Sequence, residues 1–560
     1  MISQAFRGKL AVAAVAWSML VLAAFAAAQE TGKPRILPDF GVILTDDGVL
    51  SFTDMDPMRS EAALRTMIRS LRESPVKTLV YEVAAGSQVM FYPTKVGSRW
   101  GWRKTGMEAD PAWQKRMPIN RAAAQNELDA VRTAGRAAKE LGLYFMPGYR
   151  INDAHFAHDP LGNVLTGEFW VRHHERLALG SSPVPGDALY QHLFDFSHAE
   201  VRAQCRAVVF ELIERYADIM DGIQLDFMRH PVFFPAGTGP ARAALLTEMV
   251  ASIRQRLDDA GRRGARTFAL SVRVPPTLAT CRQAGVAIDE WLVRRLVDIV
   301  IPSPSITLSH DMPVDEFVAL AKPVGVKIFP ALFPRTQFHW PVVRTPSAQS
   351  YVGATGRDVT EGQVRGAVVN YLSLGAAGFE LYNFNLPPQN VAAAAFQALS
   401  RPRAGERIYA ITPAYWSERE SLFEYRKQIP ARLAAAMPCR LTIMLGEDLS
   451  RTPAKSDHFA ALRLGISGLG KTRPEFVITI NDTLLHKGPG EKFLTPIQGR
   501  PSRPSRLHPP NAQLYLQIPL TDRRIFRLGR NELTIQLKPD AAAREAQIVE
   551  AQIILQDILR

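Results

Sequence analysis

Between Gly41 and about Pro402 the chain alternates eight times between a short apolar run of strand character and a longer stretch with helical spacing, and few folds accept that order. The strand runs are Gly41 to Gly48, Thr78 to Ala84, Leu143 to Arg150, the run ending at Asp226, Phe268 to Pro275, Asp298 to Ser305, Val326 to Leu332 and Gly378 to Asn385. Helical patterns follow them at Met58 to Leu71, from a cap at Asn120 to Leu141, at Ala199 to Tyr216, near Pro240 to Ala260, around Asp289 to Leu296, and at Val314 to Ala321, Glu361 to Leu374 and Val391 to Leu399. Strands separated by helices return parallel to one another, and eight such units fit a closed (β/α)8 barrel. An open doubly wound sheet is the competing arrangement, but no G-x-G-x-x-G loop follows the first strand.

Composition changes after Ser400 to Arg407. From there short segments with period-two alternation dominate, including Cys439 to Leu445, Phe476 to Asp482, Leu514 to Pro519 and Glu532 to Lys538. They imply an antiparallel sandwich, with Ile408 to Pro438 holding a strand and a helix that bridge the two parts. The expected fold class is therefore α/β, a (β/α)8 TIM barrel followed by a smaller antiparallel β-sandwich domain. Residues 1–28 have a basic start (Arg7, Lys9), an apolar run from Leu10 to Phe25 and a terminal Ala26-Ala27-Ala28, the pattern of a secretory signal with its cleavage site. The division is then 1–28 signal peptide, 29–402 barrel and 403–560 sandwich, and the mature chain is expected to be exported, periplasmic or secreted, without stable membrane insertion.

Three cysteines, Cys205, Cys281 and Cys439, are odd in number and widely spaced, so neither a disulfide framework nor a thiolate zinc site is signalled. The formal charge of +13 falls to +11 once Arg7 and Lys9 leave with the signal, which carries no acid. In an exported protein that balance favours anionic partners such as acidic glycans. Nucleic acid is not expected, because the basic residues are spread along the chain and are not grouped with aromatics.

The most informative stretch is DGIQLDFMRHP, Asp221 to Pro231. Its apolar alternation ends in a carboxylate, Asp226, followed at once by Arg229, His230 and a proline. Carboxyl ends of barrel strands face the active-site mouth, so an acid there has a use beyond packing. The plain alternative is a carboxylate that pairs with Arg229 to tie down a loop. Alternation places Gln224 with Asp226 on one face, Ser271 with Arg273, and Glu380 with Tyr382, leaving Asn383 on the opposite parity.

Cleavage of a glycosidic bond needs two carboxyl groups, one to protonate the leaving oxygen and one to act as nucleophile or to activate water. Asp226 and Glu380 form the first candidate pair, with Asp226 ionised beside arginine and Glu380 the acid among aromatics. Glu82 and Asp153 are rivals for the acid, and a structural glutamate paired to a barrel arginine is the competing account of Glu380. Candidate substrate-binding residues are Glu82, Arg150, Asp153, Arg229, His230, Arg273, Tyr382, Asn383, Trp100 and Trp102. The glycine-rich and basic setting of Tyr92, Trp100 and Trp102 suits an exposed loop, and those tryptophans, with Trp113 and Trp170, suit stacking on sugar rings or anchoring of loops. His155, His158, His173 and His174 match no metal-site spacing, so neither a metal nor another cofactor is expected. A serine hydrolase is not supported, because G-x-S-x-G is missing.

The strand DGIQLDFMRHP, with the preceding DFSHAEVRAQ (Asp195 to Gln204), resembles the core of the bacterial glycosyl hydrolase-like (β/α)8 families, similar to the family-10-like group. Their fourth strand reads D-G-I-x-x-D-[YF]-x-R-x-P, matched here by Asp221, Gly222, Ile223, Asp226, Phe227, Arg229 and Pro231. The resemblance implies a (β/α)8 fold over about 41–402 and action on a polysaccharide with Asp226 in the cleft. Chitinase-like barrels share D-G-x-x-x-D, but their closing glutamate falls on Met228 here. The C-terminal alternation resembles the β-sandwich appended to many secreted glycosidases. The expected function is an exported glycoside hydrolase using two carboxylates. The alternative is a non-catalytic glycan-binding or envelope-scaffold protein on a degenerate barrel, and a lyase or esterase is the weaker third.

Overall fold

A computed structural model of the chain describes residues 35–557 apart from 48–60, 101, 103–127, 154, 156–165, 184–189, 305–306, 337–356, 385–389, 414–427, 435–436, 452–457, 470–474, 490–492, 495–513 and 539–545. The expected signal segment, the Asn120 cap, Trp113 and His158 lie outside the described residues.

Nine strand segments form one sheet: β1 (Val42–Asp46), β2 (Val76–Glu82), β3 (Tyr144–Arg150), β4 (Gly222–Asp226), β5 (Ala269–Val274), β6 (Ile299–Pro302), β7 (Lys327–Ile328), β8 (Ala331–Leu332) and β9 (Phe379–Tyr382). Each pairs in parallel with its neighbour in the order β7-β6-β5-β4-β3-β2-β1-β9-β8. The expected strand Val326 to Leu332 is therefore broken in two, and its halves are the two edges of the sheet. Phe329 donates its N–H to the Val300 carbonyl (3.0 Å), while the Pro330 carbonyl accepts from the Glu380 N–H (3.2 Å). Pro330 has no N–H to give a ladder, which is a physical reason for the break at this point.

Alternation along these strands sorts side chains into two apolar clusters. Leu79, Tyr81, Phe145, Ile223, Leu225, Leu270, Val272 and Leu381 face outward and pack with the helices. Ile43, Val80, Met146, Ala269, Ile299, Ile301, Phe329, Ala331 and Phe333 face inward and pack on one another. Strands that are not neighbours thus share one inner cluster, and each fully buried aliphatic or aromatic side chain contributes roughly 1.5–3 kcal/mol.

The helices are α1 (Glu61–Arg69), α2 (Ala130–Glu140), α3 (Glu168–Leu177), α4 (Ala199–Tyr216), α5 (Gly239–Gly264), α6 (Leu278–Ala284), α7 (Ile288–Val293), α8 (Val314–Ala321), α9 (Glu361–Ser373) and α10 (Asn390–Ser400). The helix expected from Asn120 begins at Ala130, capped by the Asp129 carboxylate, which accepts from the Arg132 N–H at 2.9 Å. The helix expected around Asp289 to Leu296 is α7, and α6 precedes it as a further helix. Where an exposed loop is expected around Tyr92 and Trp100, Met90 and Ser98–Arg99 instead belong to a small sheet of Ala84–Ala85, Val89–Met90 and Ser98–Arg99. None of the helices among the described residues is long and apolar enough to cross a membrane.

Beyond Ser400 the strands of four residues or more among the described residues are β10 (Arg407–Ala410), β11 (Cys439–Leu445), β12 (His458–Ser467), β13 (Glu475–Ile480), β14 (Thr483–Pro489), β15 (Leu514–Pro519), β16 (Gly529–Leu537) and β17 (Gln547–Asp557). They build two antiparallel sheets, one around β10-β17-β12-β15 and one in the order β11-β16-β13-β14. Asn481 and Asp482 turn β13 into β14 with φ of +47° and +66°, the two-residue hairpin that asparagine and aspartate tolerate. Leu462 and Ile553 of one sheet share a core with Leu441 and Ile535 of the other.

Candidate functional site

The inner apolar cluster is overlain by a polar layer at the carboxyl ends of the strands. Register aligns Arg150, Asp226 and Arg273 across β3, β4 and β5, and aligns Glu82, Gly148, Gln224 and Ser271 one layer below. Side chains from distant strands meet in this layer. Gln224 Nε2 on β4 donates to Glu380 Oε1 on β9 at 2.8 Å, and Arg150 Nη2 on β3 donates to the Tyr382 hydroxyl on β9 at 3.1 Å.

Asp226 is 1% exposed and takes three donors: Arg273 Nη1 at 2.7 Å, Met228 N–H at 2.7 Å and Arg229 N–H at 3.0 Å. Donors alone converge on it, the set that an ionised carboxylate accepts. Arg273 is also buried. Its Nε donates to Ser303 Oγ at 3.0 Å and lies 3.5 Å from Glu380 Oε2, and its guanidinium sits 3.9 Å from the centre of the Tyr382 ring. Glu380 Oε1 accepts from Thr45 Oγ1 (2.7 Å) and Gln224 Nε2 (2.8 Å). Burial raises the Glu380 pKa, with Arg273 working against the rise.

Glu82, the last residue of β2, is fully buried, and neither of its carboxyl oxygens has a hydrogen-bond partner among the described residues. Burial pushes its pKa up to about 8; Arg150 opposes the shift, and Asp226 adds to it. Gly148, its registered neighbour on β3, leaves the room it needs. A Cβ at Gly148 would stand 3.0 Å from Glu82 Oε1 and 2.8 Å from Val80 Cγ1.

A second polar group lies just past β3 and β4. Arg150 Nη1 donates to Asp153 Oδ2 (3.3 Å), while Asp153 Oδ1 accepts from the His155 N–H (2.9 Å) and faces His155 Nδ1 and, at 3.5 Å, His230 Nδ1. Arg229 Nη2 meets His155 Nε2. A guanidinium can only donate, so Nε2 accepts and the His155 proton sits on Nδ1, bonded to Asp153. Asp153 Oδ1, His155 and His230 place possible ligand atoms within 4.8 Å of one another, but the proton-free nitrogen of His155 faces Arg229 and not the cluster. The three fit a neutral imidazole held between an acid and an arginine better than they fit a divalent cation. Burial lowers the pKa of both histidines, with Arg229 assisting, whereas Asp153 is held well below the usual carboxylate range by His155 and Arg150 despite its burial.

The other expected positions divide. Tyr382 lies within the layer, its ring 5.3 Å from that of Phe333. Asn383 follows in the left-handed region, φ +59°, with a buried Oδ1 that has no hydrogen-bond partner among the described residues. Trp100 is a correction. It is 4% exposed and tilted onto Phe91 at 5.4 Å, so it anchors the small sheet and offers no ring face to a sugar. Trp170 likewise is an anchor, bonded to the His192 carbonyl at 2.9 Å and stacked on His174 at 4.2 Å. Trp102 packs half-buried against the outer cluster. Thr45, Gly148 and Ser303 were not singled out by sequence, although the parity shared by Ile43 and Thr45 is the signal that places Thr45 on the inner face.

No family model matches the chain, and no curated protein matches it. Among solved structures, similarity extends to a cycloisomaltooligosaccharide glucanotransferase of a Paenibacillus species complexed with cycloisomaltoheptaose (10% identity, TM-score 0.32, 92% of this chain), of which the chain spans 57%. It extends also to a family 18 N-acetylglucosaminidase of Paenibacillus barengoltzii (12%, TM-score 0.33, 64% of this chain and 99% of that one) and to the catalytic domain of the psychrophilic chitinase B of Arthrobacter (11%, TM-score 0.36, 64% and 95%). Likeness this distant carries no conclusion about activity.

Proposed function

We propose that the chain is an exported glycoside hydrolase of the glycosyl hydrolase-like group, cleaving a polysaccharide on a closed (β/α)8 barrel (29–402) that is followed by a β-sandwich domain (403–560). Closure is supported by β7 and β8, which come from one segment and bond to opposite edges of the sheet. The observation that carries the activity is a contrast of environments on one inner face. Asp226 collects three donors, while Glu82 and Glu380 are carboxyl groups whose pKa burial raises. One ionised and one proton-bearing carboxyl group are what acetal cleavage requires. Asp226 then serves as the nucleophile or as the base for water. Arg150, Asp153, Arg229, His230, Tyr382 and Asn383 stand at the same carboxyl ends of the strands as these acids and are assigned to substrate binding, and the basic balance of the chain favours an anionic sugar.

Purified mature protein, incubated with a panel of neutral and acidic polysaccharides, is expected to release reducing ends from at least one. Asp226→Asn, folded by circular dichroism, is expected to lose that activity by on the order of 10²–10⁴-fold. Full activity in that variant would reject Asp226. One observation favours a second reading, a glycan-binding or scaffold protein: Asp226 and Glu380 approach the same buried guanidinium, as a purely structural network would. Glycan-array binding without reducing-end release across the panel would select it.

A further inference from the structure

Among the described residues, Asp226 has both carboxyl oxygens engaged, Glu380 has one, and Glu82 has none. This ordering bears on which of them can hold a proton to give away. Glu380 Oε1 already receives two donors, and Oε2, without a hydrogen-bond partner among the described residues, lies 3.5 Å from Arg273 Nε, whose N–H is given to Ser303 Oγ, so a proton on Oε1 would be set against two donors and one on Oε2 against the guanidinium charge. Glu380 is therefore arranged to accept. Around Glu82 no donor competes. The neighbouring Gln224 Oε1 and Ser271 Oγ, in the same register layer, are likewise buried without a hydrogen-bond partner among the described residues.

Resting on the hydrolase reading, we infer that Glu82 supplies the proton to the glycosidic oxygen, with Glu380 as a positioning residue for Arg273 and Gln224. In the step, the Glu82 O–H bond breaks and its proton joins the departing oxygen. The bond from that oxygen to the anomeric carbon breaks, with the electron pair going to oxygen. Where Asp226 bonds to carbon, water then attacks that carbon while Glu82 takes its proton, and the carbon–Asp226 bond breaks with its electron pair returning to the carboxylate; where water attacks directly, Asp226 takes its proton, loses it to solvent, and Glu82 regains one from solvent. Arg150 offsets the negative charge left on Glu82.

Glu82→Gln and Glu380→Gln are compared on a polysaccharide and on an aryl glycoside whose acidic phenol leaves without protonation. Glu82→Gln is expected to lose on the order of 10²–10⁴-fold in kcat on the polysaccharide, far less on the aryl glycoside, and to lose the alkaline limb of the pH profile, which Glu380→Gln retains. Infrared difference titration of the wild-type protein should find a carboxyl group that ionises near pH 8, missing from Glu82→Gln. The assignment is overturned if Glu82→Gln keeps the alkaline limb, if both substrates suffer equally, or if every carboxyl group ionises in the ordinary acidic range. A wild-type protein inert towards all glycosides would instead fail the hydrolase reading and take the assignment with it.

Discussion

Arg273 shows how much of the inner layer hangs on one side chain. Its guanidinium is the charge partner of Asp226 and the nearest cation to Glu380 Oε2, and it lies beneath the Tyr382 ring. Arg273→Met should therefore leave two buried carboxyl groups without their cation and cost about 3–5 kcal/mol in chemical denaturation. Lysine should not restore the loss, since a point charge cannot bond Ser303 and Asp226 together as the planar fork does. Adding Asp226→Asn and Glu380→Gln to Arg273→Met should recover part of the loss. Glu82 behaves in the opposite sense. Its folded pKa lies above its unfolded value of 4.5, so its stability contribution is present in full below pH 4.5 and is lost as pH rises to about 8. Glu82→Gln, neutral throughout, should match the wild type near pH 4 and exceed it by up to a few kcal/mol at pH 8, which denaturation at a series of pH values would read. Period-two alternation makes it legible that Gln224 and Asp226 share a face and that Glu380 travels with Tyr382. It cannot tell that Glu380 meets Gln224, because that depends on how far the sheet curves between β4 and β9. Trp100 misleads for a related reason, since glycine and basic neighbours surround a loop anchor as readily as a stacking platform.

At the level of elements, the segments that read most clearly are those whose boundaries carry their own chemistry. β3 ends at Arg150 and α4 runs from Ala199 to Tyr216, as the alternation and helical spacing imply, and α8 likewise spans Val314 to Ala321. The splitting of Val326 to Leu332 is less legible, because an unbroken apolar run gives no sign of which neighbour each half will join. The same holds for α6, whose Thr277–Thr280 capping box is a local signal outweighed by the stronger pattern after it. Strand packing supplies a test of the crowded layer beside Glu82. A methyl group at Gly148 would press on Val80 Cγ1, inside the apolar cluster, and on the Glu82 carboxyl group. Gly148→Ala is expected to cost about 1–3 kcal/mol by overpacking, and Gly148→Ala combined with Val80→Ala should lose less than the sum of the two single changes. Thermal denaturation of the four proteins measures that coupling.

Across the whole molecule, α9 joins the parallel sheet to the carboxyl-terminal sheets. Val369 packs in their shared core, and Asn370 Nδ2 donates to the His310 carbonyl (2.8 Å) and the Met444 carbonyl (3.3 Å). Backbones meet where side chains are absent: a Cβ at Gly366 would run into the Ile408 carbonyl and one at Gly446 into that of Val369, far inside contact distance. His310 lies at this junction, its N–H donated to Thr412 Oγ1 at 3.0 Å and its imidazole buried, with a pKa pushed down to about 3 by burial. The unfolded chain binds a proton here below pH 6.5 that the folded chain excludes until about pH 3, so stability contributed by this site is lost as pH falls through that window. Acid should therefore loosen the junction before it reaches the cores on either side. Hydrogen exchange at pH 4.5 is expected to rise first in α9 and β10, relative to pH 7, while β3, β4 and β16 stay protected; protection lost first from β4 would place the weak point in the inner layer instead. Gly366→Ala probes the same junction without titration. If the two parts are one cooperative unit, it lowers the midpoint of a single calorimetric transition, whereas independent parts would show two transitions of which the higher is unmoved.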